Sequence, residues 1–108
     1  ETIDTRNSPS IEIAKKFILN KYEIKLYDSM YHELKKIKFE LSNKLTNNRK
    51  FISKADIVIL ANNHELYPKM IENNLKKNNS NSKKLVFDCW SLLDKQIVKS
   101  LNWNYKNI

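Results

Sequence analysis

Apolar residues recur at helical spacing at Ile11, Ile13, Ala14, Phe17 and Ile18, with Glu12, Lys15 and Lys16 between them, which predicts an amphipathic helix over about 9 to 20. Its ends are marked as well. Ser8 can accept from the free N–H groups of the first turn, Pro9 suits the first helical position, and Asn20 is expected as a left-handed C-cap. Tyr22 to Tyr27 then alternates as a strand ending at Asp28. Signals weaken next: a helical piece near 31 to 37, a short strand at Phe39 to Leu41, and a helix around 46 to 54. Ala55 to Ala61 is apolar on both faces after Asp56, as expected of a central parallel strand covered by helices on each side. Pro68 opens another helix, with Tyr67, Met70, Ile71 and Leu75 as its stripe. The polar run Asn78 to Lys83 reads as a loop. Leu85 to Phe87 forms a buried strand ending at Asp88-Cys89-Trp90, Asp94 caps a last helix that buries Leu93, Ile97, Val98 and Leu101, and Trp103 to Tyr105 reads as a final edge strand.

Strands alternating with helices imply an α/β fold, a Rossmann-like three-layer parallel sheet flanked by helices, in one domain over 1–108. In such sheets ligands lie beyond the carboxyl ends of the strands. The candidate surface is therefore the loops after Asp28, Ala61 and Phe87, together with the loop that holds Arg6. A helix opening at residue 9 should follow a strand, and residues 1 to 3 are too few to make one. The expectation is a fragment of a longer protein that lacks its first, usually central, strand.

Charge changes this picture less than its size suggests. The net charge is +8, and eighteen of the twenty basic residues are lysines spread along the chain, beside fifteen asparagines and no glycine. A typical domain of this length would carry about eight glycines. Such a bias fits a genome skewed toward Lys, Asn and Ile codons. With no arginine-rich run, stacking-aromatic motif or helix-turn-helix pattern, a nucleic-acid partner is not expected. Cys89 is the only cysteine, which excludes an internal disulfide or a zinc cluster and fits a reducing compartment. No run of about 18 apolar residues occurs, so a cytoplasmic protein without a membrane segment is expected.

Arg6 is the first candidate for chemistry. It precedes a helix N-terminus, where free N–H groups and the dipole attract anions, and its planar fork of donors suits a phosphate. The alternative is a structural arginine that bridges Asp4 or helix carbonyls. Asp4, Ser8 and Pro9 shape the turn and cap the helix. Asp4-Thr5-Arg6-Asn7-Ser8-Pro9 with Ile11-Glu12-Ile13, Tyr27-Asp28, Ala55-Asp56-Ile57-Val58-Ile59, His64-Glu65-Leu66, Val86-Phe87-Asp88 and Leu92-Leu93-Asp94 together resemble the carboxy-terminal domain of the UDP-glucose/GDP-mannose dehydrogenase family. The resemblance implies a Rossmann-like domain that holds the nucleotide of a nucleotide sugar. A separate amino-terminal domain would bind NAD and carry the catalytic cysteine. It further implies oxidation of a sugar C6 hydroxyl to a carboxylate in two NAD-dependent steps, for polysaccharide precursors, by a protein that forms a homodimer or larger assembly. Arg6 matches the family arginine that reaches toward bound NAD.

The chain departs from the family pattern in two places, at Cys89-Trp90 and at Tyr105-Lys106-Asn107, where a glycine-containing strand end is common. Where the family has Gly-Arg, with the arginine on the substrate nucleotide, this chain has Cys89 and Trp90. Both are retained as candidate substrate-binding positions: a tryptophan can stack on a base, though it cannot replace a guanidinium. Packing of Trp90 against the sheet end is the plain alternative. Cys89 does not inherit the nucleophile's role, which belongs to the other domain, and a small buried hydrophobe is the better reading. No catalytic or metal-ligating residue is assigned to this chain. His64 is read as shaping its loop through hydrogen bonds, and Asp28 as a turn former before Ser29. A free-standing, non-catalytic α/β nucleotide-binding or basic interaction module is the competing reading.

Overall fold

The computed structural model describes residues 9–37, 39, 41–78, 82 and 84–108, and the backbone divides into two compact units, Glu1–Asn48 and Arg49–Ile108. The motif from Asp4 to Ser8, with Arg6 and the expected Ser8 cap, lies outside the described residues, as does part of the predicted loop at 78–83.

In the first unit, helix α1 spans Pro9–Leu19 and α2 spans Tyr31–Lys36. Ala14 and Leu34 are buried, together with Leu41 and Leu45, while Ile13 is exposed despite its place in the predicted stripe. The end of α1 is a Schellman turn. The Tyr22 N–H donates to the Phe17 carbonyl at 3.0 Å and the Lys21 N–H to the Ile18 carbonyl at 2.9 Å, with Tyr22 packed edge-on against Phe17 at 5.3 Å. The left-handed residue is Lys21, at φ 66°, one position beyond the expected Asn20. Asn20 instead turns its side-chain amide back to the Lys16 carbonyl at 2.8 Å.

Three predictions for this stretch and the one after it give way to local hydrogen bonding. Tyr22 to Tyr27 forms no strand; its pairing is a single parallel bridge between Leu26 and Leu45. Neither Phe39 nor Leu41 is in a strand, because the Ser42 hydroxyl accepts from the Phe39 N–H at 2.9 Å and a 3₁₀ turn follows over Ser42–Lys44; residue 40 lies outside the described residues. The helix expected from 46 begins only at Phe51, as α3 over Phe51–Lys54. Thr46 delays it, since its hydroxyl captures the Asn48 N–H at 3.1 Å and so favours a turn over a helical start.

The second unit holds the sheet. Strands β1 (Ile57–Leu60), β2 (Lys84–Asp88) and β3 (Trp103–Asn107) run parallel in the order β1-β2-β3 and are flanked by helices α4 (Tyr67–Leu75) and α5 (Lys95–Ser100), an α/β Rossmann-like arrangement. Among the described residues β2 is central and β1 is an edge strand, with Ile57 43% exposed; the central position expected for it goes to β2. Register places Val58, Leu60, Val86, Asp88, Trp103, Tyr105 and Asn107 on one face, and Leu60, Val86, Asp88 and Trp103 there are buried. Trp103 anchors that face, its indole N–H donating to the Leu75 carbonyl at the end of α4 at 3.3 Å. Pro68 lies in the first turn of α4, as expected. Asp94 caps α5 by accepting from Gln96 and Ile97 N–H, and Val98 is fully buried, although Ile97 faces solvent. Among the described residues no helix is long and apolar enough to cross a membrane.

A chain without glycine must fill its left-handed positions with costlier residues. Lys21→Gly is expected to raise unfolding stability by about 0.5–1 kcal/mol, the left-handed penalty relieved less the extra entropy glycine loses; chemical denaturation of both proteins measures it.

Candidate functional site at the carboxyl end of the sheet

The carboxyl ends of three parallel strands bring together the loop after Leu60, the loop after Asp88 and the end of β3. Asp88 organises this end. It has no exposed surface, and its carboxylate is met by three donors: the Trp90 N–H reaches Oδ1 at 3.2 Å, while the Leu93 N–H and the Tyr105 hydroxyl reach Oδ2 at 2.8 and 2.9 Å. A buried carboxylate is tolerated when its oxygens are satisfied in this way. The contact with Tyr105 follows from register. Tyr105 pairs with Val86, so its ring stands on the same face as Asp88, one diagonal step away and within reach of an aromatic side chain.

The turn that follows is held on both flanks. The Cys89 N–H donates to the Leu60 carbonyl at 3.0 Å, which ties the turn to β1. Ser91 adopts φ 52°, and its hydroxyl accepts from the Asn107 side-chain amide at 3.1 Å. Between them stands Trp90, 52% exposed, so the indole is presented to solvent and is not packed away against the sheet end.

The other sequence candidates fall as follows. Cys89 is half-buried, and burial first and the adjacent Asp88 carboxylate second push its thiol above the ordinary value. That keeps it protonated at neutral pH and a poor nucleophile. His64 shapes its loop: Nδ1 accepts from the Leu66 N–H at 3.0 Å, the His64 N–H donates to the Asn62 side chain at 3.2 Å, and the ring lies against Tyr67. Asp28, in the first unit, accepts the Met30 N–H at 2.8 Å and makes a turn. An open depression lined by Lys16, Phe17, Asn20 and Tyr22 is formed by the first unit alone and contains none of the predicted site residues. Among the described residues no cluster of His, Cys, Asp and Glu is arranged to hold a metal ion. Sequence reasoning marks Tyr105-Lys106-Asn107 only as a departure from the family pattern and gives Tyr105 and Asn107 no part in the site. Their spacing of two on a strand beside Asp88 was the signal available, but it acquires meaning only once the register of β3 against β2 is known.

Comparison with known families bears on what such a site serves. A family model for the UDP binding domain of the UDP-glucose/GDP-mannose dehydrogenase family matches residues 1–95, and the chain belongs to that family. Neither the curated proteins nor the solved structures compared with it contain a match.

The Tyr105 phenol, shielded from water and donating to Asp88, has its pKa pushed up from 10.0 to about 12. The folded state thus favours the protonated phenol, so this contribution to stability is complete below pH 10 and is lost as pH rises through about 12. In an alkaline titration followed by phenolate absorbance, Tyr105→Phe should remove an ionisation near pH 12.

Proposed function

We propose that these 108 residues act as one domain that holds the nucleotide of a nucleotide sugar, within an NAD-dependent 6-dehydrogenase that oxidises the sugar C6 hydroxyl to a carboxylate for polysaccharide synthesis in the cytoplasm. The single observation that carries this reading is the exposed Trp90, held in a turn anchored by buried Asp88 at the carboxyl end of the central strand. Open parallel sheets take their ligands at that end. An indole there offers a flat apolar face to a base, and the backbone rather than packing fixes its position. Cys89, beside it, lines the same turn as a neutral thiol.

NAD is not held by this chain on its own. The sequence has no glycine, so it cannot build the glycine-rich loop that lets backbone approach a pyrophosphate. In this proposal a separate amino-terminal domain binds the dinucleotide, which accepts hydride there, and Arg6 reaches toward it from the nucleotide-sugar side. The domain's own contribution is to bind and orient the sugar nucleotide, and the whole protein works as a homodimer.

Two substitutions in the full-length protein test the assignment. Trp90→Ala should weaken UDP binding by about 1–3 kcal/mol, the worth of one base–aromatic stack, while Trp90→Phe keeps most of it; calorimetric titration decides, and unchanged affinity in Trp90→Ala removes the base-contact role. Arg6→Ala should raise the KM for NAD by about tenfold, the loss of one charge-assisted contact, with the melting temperature unchanged. An unaltered NAD dependence would sink the role of Arg6.

A further inference from the structure

The turn that presents Trp90 is held from one side by a strand beyond the family match. That match ends at residue 95, whereas β3 spans Trp103–Asn107. Two of its side chains, on the same face of the strand, reach the turn: Tyr105 through Asp88 and Asn107 through Ser91. Trp90 itself is half-exposed, so its pose is inherited from the backbone that carries it.

The geometry points to Tyr105 as a positioning residue for Trp90, which acts through Asp88 and is seconded by Asn107, so that β3 sets the pose in which the indole meets a nucleotide base. This rests on the nucleotide-binding reading above. The mechanism lies in how Asp88 divides its oxygens. Oδ2 is fixed between the Leu93 N–H and the Tyr105 hydroxyl, and this fixes the carboxylate plane and aims Oδ1 at the Trp90 N–H. Without the phenol, Oδ2 keeps one donor and the carboxylate can turn. On the other flank Ser91 sits in the left-handed region, which is unfavourable for a residue with a Cβ. Its hydroxyl is held there by Asn107. Losing either hold lets the turn sample other conformations, and a ligand that needs one of them then binds more weakly in proportion to the fraction left.

The test is a cycle of four full-length proteins, wild type, Trp90→Ala, Tyr105→Phe and the double substitution, each titrated with UDP in a calorimeter. Tyr105→Phe should weaken UDP binding about tenfold while Trp90 is present, as expected if about a tenth of the turn retains the competent pose. In the Trp90→Ala background the same substitution should change affinity less than about twofold, because no indole remains to be positioned. An equal loss in both backgrounds, or no loss with Trp90 present, would overturn the positioning role while leaving the nucleotide reading intact. Wild-type affinity in Trp90→Ala alone overturns the positioning role together with the base contact, and no binding of UDP by the wild type overturns the nucleotide reading. Should Tyr105→Phe fail to fold, Asn107→Ala at its exposed position takes its place in the cycle. A loss confined to the Trp90 background supports the proposal, and an equal loss in both overturns it.

Discussion

Everything at the carboxyl end of the sheet depends on one carboxylate with no access to water. Asp88 ends the central strand, and three donors drawn from different places in the chain converge on it: a turn residue, Trp90; the residue before the α5 cap, Leu93; and a neighbouring strand, through Tyr105. Without it the buried Leu93 N–H would be left unpaired, which costs about 1–3 kcal/mol. The arrangement therefore behaves as a unit. It also fixes where α5 starts, because Leu93 is buried and bonded to Asp88 while Asp94, immediately after it, caps the helix. Strand end, turn and helix start are joined through a single side chain.

How much of this was legible depended on whether an element carried its own end signals. The helix opened by Pro68, the helix capped by Asp94 and the strand at 84–88 combine the right period with punctuation, and they stand where expected. The run from Tyr22 to Tyr27 had the period of a strand and no partner supplied by the sequence, and only Leu26 pairs. The helix expected from 46 rested on weak signals, with only Phe51 and Ile52 apolar, and it lost its first turn to the Thr46 hydroxyl, a local bond that propensity does not weigh. Arg6, the residue on which the sequence argument leaned most, lies outside the described residues. Trp90 and Cys89 were picked out as departures from a family pattern; the hydrogen bonds that hold the turn carrying Trp90 span 29 positions in the case of Leu60 and 16 and 17 in the case of β3, so no local reading could have supplied them.

The composition, unusual as it is, has a structural consequence of its own. Without glycine, the left-handed positions among the described residues, at 21, 91 and 102, are taken by Lys, Ser and Asn. Two of the three end helices, where the cost is recovered in capping bonds such as Lys21 N–H to Ile18 and Asn102 N–H to Lys99. Ser91 ends no helix. Its conformation is supported by the Asn107 amide instead, so the strained residue falls in the turn that carries Trp90. Local strain of this kind persists only where the surroundings over-determine it.

In the proposed reading, a tryptophan at 90 where the resemblance implies an arginine alters what the site would read. A guanidinium recognises phosphate or carbonyl oxygens by direction and charge, and it discriminates because a wrong partner leaves its donors unpaired. An indole face recognises any base by its π surface, with little dependence on which oxygen or nitrogen the base carries. A site built on Trp90 therefore gains tolerance toward the base and loses the charge that would meet a diphosphate. The charge must come from elsewhere, and in a chain with eighteen lysines and two arginines a lysine is the available source: a compact, mobile cation that attracts phosphate without fixing its orientation. Orientation would then fall to the stack itself, and it is in such a site that the pose of one tryptophan, and the residues that hold it, matter most.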